Sequence, residues 1–147
     1  MTVLTRSPES FQNEIAAAAA LATDEVNRAA DRVRRLFITP ILGQEMIYMA
    51  KEAEARAYLA ASPEPSGTTG WEADYPFIAA EIGATAPTPS EVATTYITLA
   101  TQFRTAGAGL EQIRIGAIAA FDAATSIAEV HAARDQAITS IQTTFGT

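Results

Sequence analysis

Apolar residues return every three or four positions along most of this chain, and nowhere do they alternate at a spacing of two as a half-buried strand would require. The pattern therefore predicts an all-α fold. Ser7-Pro8-Glu9 supplies a serine cap, a proline at the first helical position and an acid in the first turn. From there a stripe of Phe11, Ile15, Ala18, Ala22, Val26, Ala29, Val33 and Leu36 carries one helix to about Phe37. Thr39-Pro40 repeats the start signal and predicts a second helix from Pro40 to about Ala61. Its charged face holds Glu45, Lys51, Glu52, Glu54 and Arg56, so Leu42, Met46, Met49, Ala53 and Ala57 are expected to face the core.

The stretch SPEPSGTTGWEADYP, residues 62–76, is punctuated by proline and glycine and reads as a loop. Trp71 and Tyr75 are expected to anchor it, with a short helix PFIAAEIG stopping at Gly83. Thr88-Pro89-Ser90-Glu91 combines a cap, a first-position proline and a capping-box glutamate. The helix it opens is expected to reach Ala124 along Val92, Tyr96, Leu99, Phe103, Ala106, Leu110, Ile113, Ala117, Ala120 and Ala124, at alternating steps of four and three. Gly107, Gly109 and Gly116 interrupt it and mark a kink or a close crossing. Ser126 and Glu129 open a last helix through Ile127, Val130, Ala133, Ala137, Ile141 and Phe145, ending near Gly146.

These elements predict a long antiparallel helical bundle or coiled coil. An extended N-terminal helix over 1–37 would dock or oligomerise through Phe11, Ile15, Val26, Val33 and Leu36, and 38–147 would form the bundle. At about 1.5 Å per residue the helix opened by Thr88 is on the order of 54 Å long and the second about 33 Å, so the second cannot cover it alone. Its seam, Val92, Tyr96, Leu99, Phe103, Leu110 and Ile113, is either the core of a monomeric bundle or a contact between copies. Composition tilts the reading toward copies. The chain has 32 alanines and 18 threonines against only 11 aromatic residues, and alanine lets helices approach closely while burying little surface. A homo-oligomer, a trimer in particular, is the expectation.

A net charge of −7 argues against nucleic acid or anionic lipid as partner. Arg28, Arg32, Arg34 and Arg35 cluster, and Arg28, Arg32 and Arg35, at helical spacing, form one basic edge, either solvated or facing an acidic partner. AAAAALA at 16–22 is far too short to span a membrane, and the start, MTVLTRSPESFQNE, turns polar before a signal-peptide core forms, so a soluble, unprocessed chain is expected. Cysteine is absent, which excludes disulfides, thiolate metal sites and a cysteine nucleophile. His131, the single histidine, lies beside the apolar stripe of the last helix, and Lys51, the single lysine, stands on a charged face. Solvation explains both better than metal binding or Schiff-base chemistry does. Glu45, Glu52 and Glu54 make no recognisable acid–base pair, and no phosphate loop, nucleophile elbow or zinc spacing occurs. Neither an enzyme nor a cofactor is expected.

Thr39-Pro40 stops one helix and starts another. Gly43 permits close backbone approach, Gln44 can satisfy groups at the turn, and Tyr48 offers a flat body to the loop of Trp71 and Tyr75. The stretch is read as a packing corner. Phe37-Ile38-Thr39-Pro40, Gly43-Gln44, Tyr48, Lys51 and Glu54-Ala55 together resemble small helical proteins of tailed bacteriophages and prophages, especially phages of alphaproteobacteria. Ala73-Asp74-Tyr75-Pro76-Phe77, Glu81-Ile82-Gly83 and Glu91-Val92-Ala93 extend the resemblance, which covers about residues 33–124 and leaves out the N-terminal helix. It implies a virion-associated protein, encoded near fibre and adhesion-device genes and made in the host bacterial cytoplasm. Its partners would be itself and other virion proteins, as a fibre, spike, head or tail attachment component or as a fibre-assembly chaperone. No catalytic residue comes with it.

Overall fold

A computed structural model describes residues 5–39 and 41–147. It contains α1 (Pro8–Phe37), α2 (Gln44–Ala60), α3 (Trp71–Asp74), α4 (Pro76–Glu81), α5 (Pro89–Ala123) and α6 (Ile127–Phe145), with one 3-10 turn at Pro65–Gly67. Among the described residues the only β-type pairing is an isolated bridge between Ile82 and Ala86. The all-helical expectation holds.

The capping signals work as their chemistry predicts. Ser10 donates its N–H to the Ser7 hydroxyl at 3.1 Å, Glu91 to that of Thr88 at 3.3 Å, and Glu129 to that of Ser126 at 3.1 Å. The Thr88 hydroxyl in turn donates to the Glu91 carboxylate at 2.8 Å. The second helix departs from expectation. Pro40, its anticipated first residue, lies outside the described residues, and α2 begins four positions later at Gln44. Gly43 sits at φ 82°, a left-handed conformation that cannot continue a helix, so the chain turns through Ile41 and Leu42 before α2 starts.

Two compact units emerge. One is Met1–Phe37 with Gly107–Thr147, the other Ile38–Ala106. This grouping differs from the expected one of 1–37 apart from 38–147: α1 shares a core with the chain's last 41 residues. The reason lies in its stripe. Ile15, Ala22, Val26, Ala29, Ala30 and Val33 are buried with Leu110, Ala117 and Phe121 of α5 and with Val130, Ala137 and Ile141 of α6. Small residues on α1 and α6 let the two pack, and burial of their combined apolar faces outweighs leaving either exposed. Arg34 pairs with Glu111, which also holds Arg114, and Arg134 reaches Glu25 at 3.4 Å.

The second unit is built around Ala55 and Tyr58 of α2, Ile78 of α4, and Val92, Ala93 and Tyr96 of α5. Here the face expected to be inward is the outward one. Leu42, Met46 and Met49 are 103 %, 75 % and 73 % exposed, and Ala53 and Ala57 are exposed as well. Lys51, Glu52 and Glu54, expected in solvent, are half-buried. Lys51, Glu52 and Glu54 turn inward because each finds a partner there, which removes the main cost of burying it.

Candidate functional site

The most chemically distinctive place in the second unit is the inner face of α2. Lys51 forms an ion pair with Glu81 at the end of α4, the two side chains being 18 % and 25 % exposed. The Lys51 ammonium also lies 5.1 Å from the centroid of the buried Tyr96 ring, within cation–π range. The Tyr96 hydroxyl donates to the Phe77 carbonyl at 3.1 Å. Burial, reinforced by the nearby Glu81 charge, pushes that hydroxyl well above its ordinary pKa, so it stays protonated. Burial alone would raise Glu81, but hydrogen bonds from Lys51 and Thr85 outweigh it and hold the carboxyl below its usual range.

Neighbouring groups complete this arrangement. One turn on, the Glu54 carboxylate accepts the Ile78 N–H at 2.8 Å. That N–H belongs to the first turn of α4, whose N-cap Tyr75 supplies no side-chain cap, so α2 caps α4 from outside. Glu52 accepts from Arg56 at 2.8 Å and also from Arg104, which keeps it ionised to lower pH than a free glutamate. Every charge here is matched by a protein group. The arrangement is a polar clamp that fixes α2 on α4 and α5.

The expected packing corner resolves into two places. Tyr58, not Tyr48, receives the loop: its ring meets Trp71 edge-on at 6.0 Å and Tyr75 at 5.2 Å. The Tyr58 hydroxyl donates to Glu64 at 2.8 Å, and burial is the main cause that raises its pKa. Tyr48 instead takes hydrogen bonds from Thr39 and then Gln44, which lower its hydroxyl pKa and tie α2 to the turn before it. The sequence carries little signal for Tyr58, because it shares its helix face with Lys51 and Glu54 rather than with an apolar stripe.

The expected seam on α5 is divided. Val92 and Tyr96 belong to the core of the second unit and Leu110 to that of the first, with Ile113 packed against the latter. Leu99 is 57 % exposed and Phe103 half-buried. On α1, Ile15, Val26 and Val33 are buried, whereas Phe11 and Leu36 remain 38 % and 65 % exposed. The α1 residues chosen as a contact between copies are thus mostly engaged within the chain.

The remaining candidates carry little chemistry. His131 is exposed, as are Arg28, Arg32 and Arg35, the last paired with Asp31 at 2.8 Å. Between α5 and α6 a shallow groove is lined by Gln112, Ile113, Gly116, Ala120, Ala133 and Gln136, two amides amid small apolar residues. Among the described residues no three His, Cys, Asp or Glu side chains gather to hold a metal ion. No described helix is long and apolar enough to cross a membrane. No protein-family model, no curated protein and no solved structure matches this chain.

Proposed function

We propose that this chain is a non-catalytic structural protein of a tailed-phage particle, a fibre, spike or attachment component that works by self-association and docking through helical faces. The observation that carries the binding half of this reading is the outer face of α2 with the turn before it, where Met46 and Met49 on the helix and Leu42 in the turn are each at least 73 % exposed. A soluble chain keeps such a continuous apolar surface when something covers it in its working state. The phage half rests on the resemblance of residues 33–124 to small phage proteins. The clamp of Lys51, Glu81 and Tyr96 then serves to hold α2 rigid while its other side meets a partner.

Methionine on a contact face favours a second reading as well. Its flexible, polarisable side chain adapts to varied surfaces, as a fibre-assembly chaperone that leaves its client would need. Quantitative mass spectrometry of purified particles separates the two. Stoichiometric copies are expected for a structural component. Absence from particles whose fibres still fail to fold without the protein would overturn that reading in favour of the chaperone.

A further inference from the structure

The outer face of α2 has a polarity along its length. Its N-terminal half presents the large side chains of Met46 and Met49, and its C-terminal half presents only Ala53, Ala57 and Ala60, all exposed. Between them lies Ala50, and no charged residue falls within this strip. Beside it, on one flank, stand the acidic Glu45 near the start and the basic Arg56 near the end. Both are exposed, Arg56 by 56 % of its side chain.

A surface that is large and acidic at one end, small and basic at the other, is complementary to itself turned around. We propose that α2 pairs with α2 of a second copy of this chain, antiparallel and about a two-fold axis crossing between Ala50 and Ala53. In this register Met46 of each copy lies over Ala57 of the other, and Met49 lies over Ala53, so bulk fills the space that alanine leaves. The same rotation carries Glu45 of each copy to Arg56 of the other on the shared flank, giving two equivalent ion pairs. A parallel arrangement would stack Met46 on Met46 and set the Glu45 side chains of the two copies on opposite flanks, which is poorly packed and forms neither ion pair. Arg56 can serve both sides, because Glu52 keeps Arg104 as a second cation when Arg56 reaches outward. The symmetry is two-fold, not the three-fold expected from sequence. The inference rests on the reading of the chain as self-associating and adds the partner surface and its direction.

Sedimentation equilibrium of the full chain at tens of micromolar tests the proposal. A dimer mass is expected, together with conversion to monomer by Met49→Glu while the helical circular dichroism stays unchanged. Glu45→Arg is expected to weaken the dimer at least several-fold, and Glu45→Arg with Arg56→Glu to restore it. Because the chain has no cysteine, direction can be read by cross-linking. A short bis-maleimide should join Met46→Cys to Ala57→Cys in a mixture of the two variants, and should join neither variant efficiently to itself. A monomer, a trimer, or preferential joining of Met46→Cys to itself would overturn the pairing. Absence of the protein from purified particles with the dimer intact would instead remove the structural-component reading and leave this contact standing.

Discussion

Lys51 illustrates how a single residue can be read correctly for chemistry and wrongly for place. Its isolation among arginines draws attention, and its charged neighbours point to solvent, yet it is mostly covered and paired with Glu81. Pairing across helices leaves no periodic trace in the sequence, so the partner could not be named in advance. Replacing Lys51 by alanine should leave Glu81 half-buried without its cation, destabilising the fold by about 1–3 kcal/mol in urea titration. The same variant should steepen acid sensitivity less than the parent chain does. In the parent, Glu81, Glu52 and Glu111 all have folded pKa values below their unfolded ones, Glu111 chiefly through Arg114. Their contribution is therefore complete above the ordinary glutamate value, about pH 4.3, and is lost as pH falls below it through the depressed folded values. Urea midpoints compared at neutral pH and on acidification should show that decline, and Lys51→Ala should reduce its size.

At the scale of elements, boundaries set by local chemistry were legible and faces set by tertiary partners were not. The caps at Ser7, Thr88 and Ser126 and the stop at Gly146 are sequence-local, and each is found where the residues place it. The stripes of α1 and α6 were also readable, because each is apolar and finds an apolar partner. The face of α2 was not, because burial follows net free energy and a fully paired polar side can be covered while an apolar side is left out. For α5, unbroken heptad spacing suggested one ridge, although Leu99 lies outside both cores. Leu110→Asp should therefore cost roughly 3–5 kcal/mol by burying an unpaired charge. Leu99→Asp should cost under about 1 kcal/mol by the same denaturation measurement.

At the scale of the whole chain, nothing in the sequence signals that residues 107–147 share a compact unit with α1. Thin alanine-rich faces look interchangeable in sequence, and only packing decides which pair meets. The two cores share no residue, Ile141 being fully buried in one and Ile78 in the other. Ile141→Val and Ile78→Val should each cost about 0.5–1.5 kcal/mol. Combined, they should add to within about 0.5 kcal/mol in equilibrium unfolding, since they have no partner in common. A coupling well above that would show that the cores are not independent.

Met46 and Met49, so open on the lone chain, also make this surface vulnerable to oxidants. Peroxide converts a thioether to a sulfoxide, a polar group ill suited to lie against alanine. Wherever the protein works uncovered, oxidative damage among the described residues would fall on these two sulfurs, and whatever caps them would double as their antioxidant shield.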